Sequence, residues 1–266
     1  MDRRLTSLLF RVTREVRELA IVDGETAYIR DPVFGIVRNR VHAEVAKALL
    51  RSGGDPLVGP ILNYVAGCQN PDGSYNEVHV NYNEPSALIT AFIGDALLEA
   101  ADRHPHEEVL RKARDFVLAA ERRPGYFLKS SGYTADHLNV DASCGAFLAR
   151  YAERYGDEDA RAAALRAAEN IVHHQCKCSF YPYAVDKGTY PYVFKLPCVH
   201  YQGVTTGRGA GCPSPTTFPG RMRSPRPPLS TPPGRTTGTG STLISASIGS
   251  IRTYRGSLPG GSRGPG

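Results

Sequence analysis

From residue 1 to 206 the chain repeats one pattern. An amphipathic helical segment is followed by a connection and then by a helical segment that is apolar over most of its circumference. The clearest copy begins at "EEVLRKARDFVLAAE". Val109, Leu110, Ala113, Phe116, Val117 and Ala120 fall on one side of it, the stripe of a helix that buries a single face. A Gly/Tyr/Ser-rich connection, "RRPGYFLKSSGYTADHLN", leads to "VDASCGAFLARYAERYG", whose apolar first half predicts deeper burial. One unit earlier, "PLVGPILNYVAGCQ" precedes "EPSALITAFIGDALLEAADR", with Asp55 and Pro56 expected as N-cap and first helical residue. One unit later, "DEDARAAALRAAENIVHHQ" precedes "PCVHYQGVT", where the next inner helix should begin. A weaker copy, "LTSLLFRVTREVRELA" then "RNRVHAEVAKALLRSGG", opens the chain. The period is about 50 residues. Outer amphipathic helices alternating with inner buried ones predict an all-α fold of repeated α/α hairpins, open as a solenoid or closed as a toroid. Strand-like alternation is nearly absent; "EVHV" is too short to predict more than a local extended piece.

Between the second outer and inner helices lies "QNPDGSY", Gln69 to Tyr75, a turn sequence with Pro71 and Gly73 at favoured positions. This segment resembles the Gln-x-x-Asp-Gly-Ser-aromatic motif of α/α-toroid proteins. That superfamily includes terpenoid cyclases and protein prenyltransferases, and toroidal polysaccharide lyases share its architecture. The resemblance implies repeated α/α hairpins forming an incomplete α/α toroid over residues 1–206. It implies no single activity, because one fold hosts unrelated chemistries.

After Thr205 the pattern stops. Residues 207–266 are dominated by Gly, Pro, Ser, Thr and Arg, and lack Asp, Glu, Lys, Asn, Gln, His and Val. Such a composition buries too little apolar surface to offset chain entropy, so a disordered tail is expected. Three origins fit it: a natural tail, a glycine-rich phosphate loop at "TTGRGAG", or a GC-rich gene read out of frame from within a helix. The onset inside an expected helix favours the last. The tail also carries eight of the arginines behind the formal charge of +6, which leaves residues 1–206 at −2. The expected folded body therefore lacks the basic face that nucleic-acid binding needs. No apolar run has the length of a membrane span. The N-terminal segment breaks its apolar residues with Arg and Glu, unlike a signal peptide. A cytoplasmic protein with reduced cysteines is expected, Cys68 and Cys144 as small core residues.

In an α/α toroid the N-terminal ends of the inner helices face one end of a central cavity. Polar residues gather there: Arg40, Asn83 and Glu84, Asn139 and Asp141, and His200, Tyr201 and Gln202, with Tyr192 just before. Asn83, Asn139 and Asp141 also suit helix capping. A Tyr/His/Asn/Arg set fits proton abstraction beside a uronic acid carboxylate, as toroidal polysaccharide lyases are understood to perform it. On that resemblance His200 is the base, Tyr201 acid or base, and Asn139 and Asn83 carboxylate partners, with Arg40 binding the anionic sugar. Hydrolysis needs two positioned carboxylates, for which Glu84 and Asp141 are the pair.

Terpenoid cyclization lacks both its Asp-rich runs, and the chain has no Trp. "HHQCKCSF" gathers His174, Cys176 and Cys178 as candidate zinc ligands, but Cys-x-Cys departs from the usual spacing and no second pair follows. No cofactor is otherwise expected. The leading expectation is a carbohydrate-active α/α-toroid protein, lyase- or epimerase-like on acidic sugars. A non-catalytic helical-repeat binding protein, a terpenoid cyclase- or prenyltransferase-like enzyme and an inactive product of a damaged gene are the alternatives.

Overall fold

In the computed structural model, residues 3–176, 180–185 and 199–209 are described, with backbone alone at 3–6, 199–200 and 207–209. They all fall within the first of two units, residues 1–218 and 219–266. The described part is mostly helical, and its helices follow the repeat. The outer helices are α1 (Arg3–Leu19), α3 (Val58–Gly67), α5 (Glu107–Ala119) and α7 (Glu158–His173). The inner ones are α2 (Asn39–Arg51), α4 (Ala87–Ala100), α6 (Leu138–Tyr155) and α8 (Val199–Gly209). The α8 backbone stays helical to Gly209, past the expected boundary at 206; the rest of the tail lies outside the described residues.

The connections are more regular than their sequences suggest. Each of the first three holds an antiparallel hairpin: β1 (Ala20–Asp23) with β2 (Thr26–Ile29), β3 (Tyr75–Val78) with β4 (Asn83–Ser86), and β5 (Glu121–Arg123) with β6 (Tyr126–Phe127). Glu77 and Val78 of "EVHV" end the β3 strand, whose ladder sets Tyr75 opposite Ser86 and Val78 opposite Asn83, and His79 enters the turn.

Inner helices α2, α4, α6 and α8 pack in series, while α3, α5 and α7 back onto α2, α4 and α6. Every residue of α4 except Glu99 is buried, as an apolar circumference requires. Ile61, Leu62, Ile93, Leu97, Leu110, Phe147 and Leu148 form the centre of the core. Helix ends follow local chemistry. Asp157 caps α7 by accepting from the Ala160 amide at 2.8 Å, and α6 stops at Gly156 in the left-handed region. Asp55 accepts from the Leu57 amide at 2.9 Å, but this closes a turn, and α3 begins only at Val58.

At their C-terminal halves the inner helices are joined by alternating charges. Lys47 on α2 meets Asp95 on α4 at 2.7 Å, and Arg51 meets Glu99 at 2.5 Å. Arg150 on α6 pairs with Asp95 and approaches Glu99 at 3.9 Å.

Towards their N-terminal ends, one hydrogen bond recurs at the same register in all four. The fourth helical residue accepts the amide N–H of a residue in the preceding connection. His42 Nε2 accepts from Ile29 at 2.7 Å, and Thr90 Oγ1 from Tyr75 at 2.9 Å. Asp141 Oδ1 accepts from Phe127 at 2.8 Å, and Gln202 Oε1 from Tyr181 at 2.9 Å. A backbone amide leaving solvent must find an acceptor. Four different side chains supply it, so the position requires an acceptor and reach rather than one residue type.

Candidate functional site

These four fastenings index the site. Two residues before the acceptor, the inner helices present Arg40, Leu88 and Asn139. Two residues after the fastened amide, the connections present Glu77, Lys129 and Tyr183. All six line one cavity of about 110 Å³, together with Phe92, Val140, Tyr201 and Val204. The two-residue step returns an extended connection to the same side, and the shared helical register does the same for the helices. A larger groove of about 380 Å³ lies between α1 and α2, but its walls, including Leu9, Val12, Val41 and Val45, offer little chemistry.

The Arg40 guanidinium lies 4.0 Å from the centre of the Phe92 ring and has no carboxylate partner among the described residues. Lys129 Nζ is 2.9 Å from Glu77 and 4.1 Å from the centre of the Tyr133 ring. Tyr82 donates its hydroxyl to Glu77 at 3.3 Å; burial first, then that carboxylate, pushes its phenol above the ordinary range. Tyr183 and Tyr201 stack with centroids 4.2 Å apart, and Tyr183 also meets the His137 ring at 4.8 Å. Asn139 is buried, and its Oδ1 has no hydrogen-bond partner among the described residues. That oxygen therefore stands ready to accept from a ligand hydroxyl or a water. The lining sums to two cations against one carboxylate. Helices α2 and α6 also lack side-chain caps, so negative charge near their first turns is favoured.

Of the residues expected from sequence, Arg40, Asn139 and Tyr201 come together here. His200 is the second residue of α8, at the register shared by Arg40, Leu88 and Asn139; its side chain lies outside the described residues. Tyr192 and Cys178 are also outside them.

Four expectations are corrected. Asp141 is neither a cap nor a cavity residue. It is buried against β6 and α7, accepting from Phe127 and, at 3.0 Å, from Asn170 Nδ2. Burial, with the Asp136 carboxyl beside it, holds its carboxyl well above the usual range. Gln202 spends its amide on Tyr181, accepting from its N–H and donating to its carbonyl. Asn83 is exposed in β4, paired across the ladder with Val78, and Ser86 caps α4 instead. Glu84, also in β4, accepts from Ser130 at 2.8 Å and Ser131 at 3.4 Å. Glu84 and Asp141 are thus each committed to separate structural bonds, which removes the carboxylate pair that hydrolysis needs.

His174 is the C-cap of α7 and Cys176 is exposed beyond it. Among the described residues no three His, Cys, Asp or Glu side chains gather as a metal site. Cys144 is buried on α6, and Cys68 is half-buried with its thiol pushed up by burial. No described helix is long and apolar enough to cross a membrane.

Glu77, Lys129, Tyr183 and Phe92 were not legible as site residues. The signal that finds the first three is the repeat itself, aligned on the fastened amides; Phe92 lies within α4 and no such alignment marks it. No family model matches the chain, and no curated protein matches it.

Proposed function

We propose that this chain is an α/α-hairpin protein of the toroid type whose inner-helix cavity binds an acidic sugar and removes the proton beside its carboxylate. The observation that carries the reading is the cavity's charge: Arg40 and Lys129 against Glu77 alone, beside the buried Asn139 amide and the Tyr201 phenol. The outer-to-inner placement of the Gln69–Tyr75 turn supports the toroid type.

In this reading Arg40, with the Asn139 Nδ2 as a second donor, holds the carboxylate and stabilises the charge that builds on it as the C5 proton leaves, while Asn139 Oδ1 accepts from a sugar hydroxyl. The base takes that proton. In elimination the C5 electron pair forms the C4=C5 bond as the C4–O bond breaks, and an acid protonates the departing oxygen. In epimerization a proton returns to C5 from the opposite face. Tyr201 and His200 are the acid and base pair, Tyr201 by its place in the lining and His200 by its register. The stacked tyrosines offer an apolar wall to a sugar ring.

Polymers of glucuronate, galacturonate and mannuronate, incubated with the protein, test both outcomes. Elimination appears as ultraviolet absorbance of the unsaturated product, and epimerization as a changed uronate composition by NMR. Loss of either signal in Tyr201→Phe, with binding retained, is the expected result. Activity untouched by both Tyr201→Phe and His200→Ala would overturn the assignment.

A second reading, binding without turnover, is favoured by the Lys129–Glu77 pair, which neutralises two of the ionisable groups facing the ligand. It predicts calorimetric binding of uronates with no product.

A further inference from the structure

A second cavity, of about 280 Å³, adjoins the first and shares Arg40 and Glu77 with it. Its remaining polar lining is Arg38, Asn39, Asn76 and His79. Arg38 Nη2 lies 3.4 Å from Asp31, but its Nε is buried and has no hydrogen-bond partner among the described residues. A buried guanidinium donor without an acceptor is costly unless something supplies one. The His79 ring stacks on Tyr82 at 4.9 Å, and its Nδ1 accepts from the Asn81 amide at 3.3 Å, which leaves Nε2 to carry the ring's proton. Asn76 Oδ1 accepts from Asn70 Nδ2 at 2.7 Å, so its own NH₂ remains as the donor. Donors therefore outnumber acceptors around this second space.

We propose that the second cavity is a subsite for the neighbouring residue of an acidic oligosaccharide, with Arg38 reading that residue's carboxylate. The inference rests on the acidic-sugar reading above and narrows it. The preferred ligand is a uronate chain of at least two residues, not a single sugar acid. Arg40, common to both cavities, stands between the two carboxylates. Glu77, tied to Lys129 and Tyr82, supplies the carboxylate acceptor for hydroxyl groups at the junction. A neutral sugar chain leaves Arg40 without an anionic acceptor and Arg38 with Asp31 alone, and gains little from its second ring.

The test is calorimetric titration of the full chain at low ionic strength with mono-, di- and tri-uronates of the glucuronate, galacturonate and mannuronate series, and with cellobiose. For one series the dimer should bind about tenfold or more tightly than the monomer, and cellobiose should show no such affinity. Arg38→Ala should remove the dimer's advantage and leave monomer affinity within about twofold. Arg38→Lys keeps the charge beside Asp31 but lacks the Nε donor, and should recover only part of the advantage. A dimer that binds no tighter than the monomer overturns the subsite while the acidic-sugar reading stands. So does an advantage that survives Arg38→Ala, or an equal loss for monomer and dimer. If no uronate binds at all, both readings fall.

Discussion

Asp141 and His42 hold equivalent positions and perform one task with opposite responses to acid. Asp141 is buried, accepts from Phe127 and Asn170, and has its carboxyl raised above the ordinary 3.8. A group whose native value is raised stabilises the fold fully below its unfolded value, and that contribution fades as pH climbs through the native value. Asp141→Asn keeps an acceptor for Phe127 and does not ionise. It should therefore fold, and its thermal stability should gain on the parent as pH is raised from about 4 to about 8. Asp141→Leu orphans the buried Phe127 amide and leaves Asn170 only its longer bonds to Gly125 and Asp136, and should lose about 1–3 kcal/mol in denaturant unfolding. His42 runs the other way. Burial lowers its value from 6.5, and its Nε2 must stay unprotonated to accept from Ile29 while Nδ1 donates to the Arg38 carbonyl at 2.8 Å. Its stabilisation is present above 6.5 and lost as pH falls through the native value. Unfolding of His42→Gln should be flatter than the parent's over that range. Neither role was legible in the sequence. A carboxyl early in an inner helix resembles a cap or a catalyst because those uses are local, whereas its partner Phe127 lies 14 residues earlier.

The helices could be read from their apolar spacing because each spans several turns, long enough for a period to show. The hairpins could not, since their strands run two to four residues and the alternation never accumulates. What remained visible was the turn chemistry, and its purpose is packing. Gly73 and Gly125 have φ of 87° and 77°, and a methyl group at either would sit 2.2 Å from the Lys112 carbonyl oxygen or 2.1 Å from that of Arg166. Each turn therefore lies directly against the next outer helix, α5 or α7. Gln69 reinforces the first turn by donating to Gly73 and Val109 carbonyls, and Glu121 the second by accepting from Gly125 and Arg166. Gly24, at φ 57°, occupies the corresponding first hairpin with open space around it. Gly24→Ala should then cost only the left-handed backbone, roughly 1–2 kcal/mol. Gly73→Ala and Gly125→Ala must also displace a helix backbone and should cost distinctly more. Denaturant midpoints for the three variants measure the difference. Equal losses would mean that the turns tolerate separation from α5 and α7.

Across the whole described body, the two ends of the inner-helix row serve different purposes. Towards the N-terminal ends, fastened connections surround a cavity with surplus positive charge; farther along, ion pairs hold neighbouring helices together. The helix order was readable from sequence, but the pairing was not, because Lys47 and Asp95 lie 48 residues apart and meet only once the repeats stack. Lys47 is 8% and Asp95 3% exposed, so each has surrendered most of its hydration and depends on its partner. Removing one member of a buried pair is strongly destabilising, while replacing both with well-packed apolar residues is often neutral or better. Asp95→Ala leaves Lys47 buried without its carboxylate and withdraws a partner from Arg150, so a loss of about 3–5 kcal/mol is expected. Lys47→Met combined with Asp95→Leu should recover much of it, with Arg150 turning to Glu99. Hydrogen exchange separates this from general weakening. If the pair holds α2 to α4, Asp95→Ala should expose the amides of α2 well before those of α6 and α7. Uniform loss of protection across all the helices would assign the pair to overall stability rather than to the junction between the first two repeats.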